Sequence, residues 1–293
     1  MIIGIATRNR RAWCSIQLFK AIKKRGLKAA FIDLAKTIVG INCNFNILYK
    51  GVDLAEKLNA LIVRPLGVDS PERTFSRLNV LHKLNDCGVK VINSPHAIEK
   101  CIDKFATLLL LSKHGIPVPQ TIVTEEISGG LKGFENLGGD VVVKPIFGSR
   151  GYGIIRVSDF DVAFRVFKTL YSIGNVIYLQ KFIPHRNRDI RAFVVGGEVI
   201  SSMVREASSW KTNIAQGAKP RYIKLSSELS EIAVKAAEAL GCEVAGVDIL
   251  VSENGEYYVT EINSMPNWQG LQSVTPFNIA EKIIEYIVYS IMK

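Results

Sequence analysis

Histidine and cysteine are sparse in this chain, and neither is clustered. The four histidines, His82, His96, His114 and His185, are dispersed, which argues against histidine-ligated metal sites and catalytic triads. The five cysteines, Cys14, Cys43, Cys87, Cys101 and Cys242, are odd in number and form no close pair in sequence. Reduced, packed thiols are expected rather than a disulfide framework or a zinc site. No apolar run approaches the length of a membrane span, and the C-terminal IIEYIVYSIMK is short and interrupted by charge. The opening MIIGIATRNRR lacks a basic region ahead of a long apolar stretch, so no signal peptide is expected and the chain reads as soluble and cytoplasmic. No GxGxxG follows the first strand, which removes the dinucleotide fingerprint. Internal repeats and low-complexity linkers are missing too. So are a nucleophile with an adjacent base and a pair of isolated carboxylates suited to glycoside chemistry.

What is present is an ordinary globular composition, 48% hydrophobic and 22% charged, in 293 residues. That length suits about two domains, or three small ones. A net charge of +10 favours an acidic partner, whether nucleic acid, a membrane surface or a polyanionic small molecule. The excess is spread along the chain and does not choose among them.

Along the chain, MIIGIAT, LKAAFID, ALIVRPLG and VKVINS read as strands, with helices over Ser15–Arg25 and Phe75–Asn85 between them. Such alternation predicts a doubly wound parallel sheet. One amphipathic helix is expected over Ala97–His114, closed by Gly115, and IPVPQTIV is extended. Two strands, Val141–Pro145 and Ile154–Val157, flank the loop GSRGYG. Next come a helix over Asp161–Ile173, the strand NVIYLQKFIP and a hairpin turning at Gly196-Gly197. An Ala-rich helix covers Ser227–Leu240, and a last helix over Pro276–Met292 should pack on the C-terminal module.

The most informative stretch is GVDILVSENGEYYVTEINS, residues 246–264. A two-residue turn at Asn254-Gly255 sets Asp248 opposite Glu261, with Asn263 on the same face. Two carboxylates about 5 Å apart repel by about 3 kcal/mol at an effective dielectric near 20. A divalent cation with oxygen ligands resolves that repulsion, and Mg²⁺ beside a nucleotide phosphate fits better than a Ca²⁺ cage. The other reading is a solvated acidic face. In GSRGYG, the glycines with Lys144 on the feeding strand and the donors of Ser149 and Arg150 suit a phosphate cover, or else only a tight turn. Asp189 and Arg191 share a strand face. Asp189 suits a ribose hydroxyl and an arginine suits a phosphate, against the reading of an exposed charged face. Strict pairing across the Gly196-Gly197 turn puts Arg205 on the opposite face from Arg191, so a bulge intervenes or only one arginine reaches the site. Trp210, Lys211 and Asn213 mark a polar loop or packed aromatic. A metal cluster, a phosphate loop and several cations serve phosphoryl transfer.

In order, INSPHAIEKCIDKFATLLLLSKHGIPVPQT, VVVKPIFGSRGYGI, LQKFIP with RDIRAFVVGGEVISSMVRE, NIAQGA and EVAGVDILVSENGEYYVTEINSMPNWQG resemble the ATP-grasp ligases, and among them the RimK-like α-L-glutamate ligases. The resemblance covers nearly the whole chain. It implies an N-terminal α/β domain (1–98), a central ATP-grasp subdomain (99–180) and a C-terminal one (181–293), with ATP clamped between the last two. By the same resemblance Lys104 and Lys144 contact ATP phosphates under the loop Gly148, Ser149, Arg150, Gly151, Tyr152, Gly153. Gln180, Lys181, Phe182 and Ile183 lie along adenine with their backbone groups, and Asp189 takes the ribose. Asp248, Glu261 and Asn263 hold Mg²⁺ or Mn²⁺, two ions in all, and Arg191, Arg205 and Asn213 meet phosphate or acyl phosphate. The implied reaction phosphorylates a carboxylate and joins it to the amine of L-glutamate. MPNWQG and AWCS look most like the ligases of that family acting on tetrahydromethanopterin. A deazaflavin coenzyme, a ribosomal protein or an amino-group carrier protein are the other acceptors the family implies. A kinase on the same fold and a nucleic-acid-binding protein are the rivals. The second would need a basic stripe with stacking aromatics, and the basic residues are not clustered that way. A homo-oligomer is compatible with all of these.

Overall fold

The structure, a computed structural model, describes residues 1–67, 69–148 and 151–293. Near the N-terminus, β-branched apolar runs form a four-stranded parallel sheet in the order Lys28–Ile32, Ile2–Ala6, Ala60–Val63, Lys90–Ile92. Alternate side chains feed two cores. Ala6, Leu61 and Val63 pack beneath the helix Pro71–Asp86, while Ile3, Ile5 and Ile62 pack beneath Trp13–Lys24. Ser70 caps Pro71–Asp86 by accepting from Arg73 N–H, so that helix starts a turn earlier than its apolar spacing indicates.

A four-stranded antiparallel sheet follows, ordered Ile155–Val157, Val141–Val143, Ile177–Lys181, Thr121–Thr124. The helices Ile127–Asn136 and Phe160–Ser172 cover it around Phe134, Phe167 and Leu179. The third sheet is antiparallel and five-stranded, ordered Lys219–Tyr222, Glu198–Glu206, Arg188–Val195, Val244–Val251, Tyr257–Asn263. One of its faces, with Ile190, Val194, Val247 and Ile249, packs on Ser227–Leu240.

The structure departs from the sequence reading in two places that matter for the site. The helix expected over Ala97–His114 is two, Pro95–Ile102 and Lys104–Lys113. Asp103 is extended between them, and its carboxylate accepts from Phe105 N–H (2.8 Å) and Ala106 N–H (3.0 Å). A carboxylate that caps a new helix so well competes with continuation of the old one. Residues 97–116 also pack in the core of the five-stranded sheet, through Ala97, Leu108, Leu111 and Ile116, and not in that of the central sheet. The segment from 99 onward therefore belongs by packing with the third sheet until the chain reaches Thr121.

The second departure is the last helix, Ile279–Met292. Its stripe of Ile279, Ile283, Ile284 and Ile287 shares one core with Leu18 and Ile22 of the N-terminal unit and with Phe193, Val195 and Val244 of the five-stranded sheet. It bridges the two instead of packing on the C-terminal unit alone. Each such fully buried side chain contributes roughly 1.5–3 kcal/mol, so the helix is a strong tie between them.

Asn93, 1% exposed, is the polar counterpart of that tie. Its Oδ1 accepts from Glu243 N–H (2.7 Å) and Val244 N–H (2.8 Å), and its Nδ2 donates to Val244 O (2.7 Å) and Ser264 O (2.5 Å). Replacing Asn93 by alanine strands four backbone groups at once, three of them buried and one half-buried. Asn93→Ala is expected to lower the unfolding free energy by roughly 3 kcal/mol or more, read as a lower urea midpoint. An unchanged midpoint would show that those groups find other partners.

Candidate nucleotide and metal site

The other face of the five-stranded sheet changes character along its length. At one end Phe193, Val195 and Val244 meet the C-terminal helix and the N-terminal unit. At the other end Asp189, Arg191, Arg205, Asp248 and Glu261 stand on the same face, set by the pairs Asp189↔Arg205, Arg191↔Asp248 and Asp248↔Glu261. Asn263, opposite Gly246, extends the row.

Two irregularities create this alignment. The loop after Val244–Val251 is three residues, not two. Ser252 N–H donates to Glu256 O (2.8 Å), Gly255 N–H donates to Ser252 O (3.0 Å), and Gly255 takes φ +86°. Val251 therefore faces Tyr257, one residue away from the two-residue register. A bulge beside Asp248, with Thr260 as the extra residue, restores the count, and Asp248 meets Glu261. In the neighbouring hairpin a register shift at Phe193/Val194 turns Arg205 to the face of Arg191. Of the two alternatives open for Arg205, the bulge is the one found.

The charges form a buried network. Arg191 makes a bidentate pair with Asp248, its Nη2 donating to Oδ2 at 2.9 Å, and Arg205 Nη2 reaches the same Oδ2 at 3.1 Å. Arg205 also pairs bidentately with Asp189, Nε donating to Oδ1 at 2.8 Å. Burial by itself would raise the Asp248 carboxyl, but Arg191 and Arg205 outweigh it and hold it below the usual carboxylate range. Gly246 permits the packing, since a Cβ there would come within 2.7 Å of Arg191 Nη1. A glycine inside a strand was the available sequence signal for that close approach, and it was missed.

Asp189 was expected to face a ribose hydroxyl. Both its oxygens instead accept from Arg205, so only its remaining lone pairs are open to another donor. Glu261, half-buried, makes no hydrogen bond or ion pair among the described residues, and the Nδ2 of Asn263 is buried without a partner. Asp248 Oδ1 accepts only from Arg191 Nε and keeps a lone pair. The Glu261 carboxylate, which accepts no hydrogen bond among the described residues, the side-chain oxygen of Asn263 and the free lone pair on Asp248 form a set of hard oxygen donors, while the unpartnered Asn263 Nδ2 suits an anionic oxygen such as a phosphate's. The residues present therefore fit Mg²⁺.

From the central sheet, Lys144 faces this cluster. Burial pushes its ammonium down to about 8; Glu261 and Asp248 oppose the fall and Lys104 adds to it. Its Nζ donates to Gln180 Oε1 (2.7 Å), whose Nε2 donates to Thr121 Oγ1 (3.1 Å). Gln180 thus orients a lysine through its side chain. The N–H groups of Lys181 and Phe182 are spent on Gln120 O (2.8 Å) and Asp140 O (3.0 Å), so they cannot serve an adenine edge; Ile183 N–H has no partner among the described residues. Lys104, at the start of its helix, donates to Gly148 O (2.7 Å) and so holds the glycine-rich loop. Gly151, at φ +74°, lies against Asn213 and Gln216 so closely that a Cβ would collide with both, which joins the loop to the 213–216 turn. Gly153 also takes positive φ, and Tyr152 is exposed. Ser149 and Arg150 lie outside the described residues. Beside the site, the Phe182 ring carries the Arg156 guanidinium at 3.6 Å and meets Trp210 edge-on at 6.1 Å.

Two sets dispersed in the sequence are adjacent in space. Cys101 and Cys242 bring their sulfurs to 3.4 Å, and the ligand atoms of His82, His96 and Glu99 lie within 4.8 Å of one another.

The network separates two kinds of acid by what their loss leaves behind. Asp248→Ala leaves the Arg191 guanidinium buried without a carboxylate, takes one of two carboxylates from Arg205, and is expected to cost about 3–5 kcal/mol of stability. Glu261→Gln removes a charge that makes no hydrogen bond or ion pair among the described residues and acts on Lys144 only through space, and it should leave the melting temperature within a degree or two. Differential scanning calorimetry of both variants checks this, and equal losses would contradict it.

A RimK PreATP-grasp domain model matches residues 1–98, and a RimK-like ATP-grasp domain model matches residues 101–287. The tetrahydromethanopterin:alpha-L-glutamate ligase of Methanocaldococcus jannaschii is 37% identical over 98% of this chain and 98% of its own. Its namesake from Methanosarcina acetivorans is 33% identical over 97% and 98%. A probable alpha-L-glutamate ligase of Hydrogenovibrio crunogenus is 32% identical over 98% and 95%. Among solved structures, the ATP-grasp ligase PsnB complexed with minimal precursor, Mg and ADP superposes with a TM-score of 0.77 at 20% identity, covering 100% of this chain and 98% of that one. The D-cycloserine synthetase DcsG gives 0.76 at 17% identity, covering 99% and 100%. No helix among the described residues is long and apolar enough to cross a membrane. With both family models tiling nearly all of its length, the chain belongs to the RimK-like family of ATP-grasp ligases.

Proposed function

We propose that this protein is an ATP- and Mg²⁺-dependent carboxylate–amine ligase that adds L-glutamate to a carboxylate of tetrahydromethanopterin. The observation that carries the reading is the row of oxygen donors Asp248, Glu261 and Asn263 beside Arg191 and Arg205, facing Lys144. The named relatives with matching length supply the acceptor.

ATP lies between the central and five-stranded sheets, its phosphates against Lys104 and Lys144 under the glycine loop. Asp248, Glu261 and Asn263 would hold Mg²⁺, which would supply positive charge to offset that of the phosphates. Arg191 and Arg205, fixed by their carboxylates, present cationic edges that do not reorganise when charge develops on the transferred phosphoryl group. The acceptor carboxylate oxygen attacks the γ-phosphorus and ADP leaves. The glutamate amine then attacks the acyl carbon, loses a proton, and phosphate departs with one carboxylate oxygen. Positioning and charge neutralisation are all that this requires of the protein, in keeping with a site that offers no nucleophile–base pair among the described residues.

Incubation with ATP, Mg²⁺, glutamate and tetrahydromethanopterin should give ADP, phosphate and an acceptor heavier by one or more glutamyl residues. If the acceptor carboxylate carries ¹⁸O, one label should pass to phosphate. Unlabelled phosphate would rule out the acyl phosphate. A product phosphorylated without any amine would favour a kinase, and a glutamyl product on another acid alone would remove the pterin.

Lys144 gives this reading a pH signature. Its ammonium is charged below about 8 and neutral above, and phosphate favours the charged form. ATP affinity should therefore fall as pH rises, by roughly tenfold between pH 7.5 and 9.5, with proton uptake on binding in that window. Arginine keeps its charge throughout, so Lys144→Arg should flatten the dependence in calorimetric titrations. An equally steep profile in that variant would clear Lys144 of the role.

A further inference from the structure

Among the described residues four arginines are buried: Arg64, Arg77, Arg191 and Arg205. Three have carboxylates. Arg77 holds Asp69 at 2.6 Å, and Arg191 and Arg205 are paired with Asp248 and Asp189. Arg64, 6% exposed, has none: its guanidinium makes no hydrogen bond or ion pair among the described residues. It rests only over the Trp268 ring, 4.9 Å from the centroid. Trp268 is itself 1% exposed, and its Nε1–H is buried without an acceptor. An uncompensated buried cation is a net loss of stability that a cation–π contact offsets only in part. Burial pushes the Arg64 guanidinium down, and the Cys14 thiol is the group that acts against the fall.

The place of this pair in the fold gives the unpaired charge a meaning. Arg64 directly follows Ala60–Val63, and its N–H donates to Ala6 O at 3.0 Å, which sets it at the carboxyl ends of the parallel strands. Ligands of open α/β sheets bind along that edge. Trp268 lies in the turn after Tyr257–Asn263, the strand that carries Glu261 and Asn263. Arg64, Trp268, Asn93, Ser264 and Pro266 line one small pocket with apolar walls from Leu18 and Ile62. Neighbouring Arg8 is not equivalent, because it is committed to Asp69 at 3.1 Å.

We propose that Arg64, assisted by the Trp268 indole N–H, binds a carboxylate of the acidic substrate and holds it beside the acyl-transfer site. This rests on the ligase reading above and names a substrate group that reading leaves without a partner. A guanidinium edge offers two parallel N–H donors that match a carboxylate. The carboxylate comes either from glutamate, the amine donor, or from the pterin acceptor.

Arg64→Met and Arg64→Lys separate this from a structural role. Removing a buried charge that has no partner should leave the melting temperature of Arg64→Met at or above wild type, with affinity for the ATP analogue AMPPNP and Mg²⁺ unchanged. Calorimetric titration of the AMPPNP·Mg²⁺ complex with glutamate, and separately with tetrahydromethanopterin, should show about a hundredfold weaker binding of one of them. Arg64→Lys, which keeps the charge and loses the fork, should fall between. A loss confined to glutamate assigns the site to the amine donor, and a loss confined to the pterin assigns it to the acceptor. Wild-type affinity for both acids in Arg64→Met overturns the proposal, whether or not its melting temperature falls. Wild-type protein that binds the nucleotide analogue and neither acid defeats the ligase reading, and this site with it.

Discussion

The pairing of Asp248 with Arg191 and Arg205 across the five-stranded sheet fixes the geometry on which the site depends. A buried ion-pair network of this kind is weak evidence for stability, since the desolvation of each ion offsets most of the attraction. What it supplies is orientation. Each guanidinium is planar, bidentate and held on a strand whose neighbours on both sides are paired, so neither arginine has much freedom to turn. The same pairs leave Asp248 Oδ1 with a single donor, on the sheet face it shares with Glu261 and Asn263.

That row is held in place from outside the sheet. The apolar half of the same face carries Phe193, Val195 and Val244 into a core shared with the N-terminal helix and the C-terminal helix. Asn93 then locks the edge of the parallel sheet to Val244 and Ser264, close in sequence to both ends of the oxygen-donor row. The central sheet, in contrast, has a core of its own around Phe134 and Phe167 and reaches the site through Lys144, Gln180 and the glycine loop. The opposite face of that sheet puts Tyr178 and Val123 into the core of the five-stranded sheet, so the central sheet too is tied by packing to the unit that carries the oxygen-donor row.

Much of this was legible in the sequence where one local rule decides the outcome. The parallel strands, the Gly196-Gly197 turn with both glycines at positive φ, and Ser227–Leu240 follow from periodicity and turn chemistry. The face shared by Asp248 and Glu261 was found as well, though by a route in which two departures cancel. The loop at Glu253–Gly255 is one residue longer than counted, and the bulge at Thr260 takes that residue back. Bulges leave no period in the sequence, which is why Arg205 remained undecided between two faces. The division of the 95–113 helix at Asp103 was hidden for a related reason. Apolar spacing continues across the break, and only the capping carboxylate marks it. Long-range partners, such as those of the C-terminal helix or of Gln180, have no local signal at all.

What remains unpaired in an otherwise satisfied interior is therefore the most informative part of the molecule. Protein interiors leave few polar groups without partners, and those that persist concentrate where a ligand supplies what the chain does not. Glu261, the Asn263 amide, the Trp268 indole N–H and Arg64 all belong to this class, and none is far in the fold from the strand Tyr257–Asn263. Their polarities differ in a consistent way. Oxygen ligands and the Asn263 N–H donor gather on the strand, where a cation and a triphosphate would meet, while a cation and an N–H donor gather at the carboxyl edge of the parallel sheet. A ligase that joins an activated carboxylate to an acidic amine needs that sequence of charges, with metal and phosphate on one side of the reacting carbon and an anion-binding group on the other.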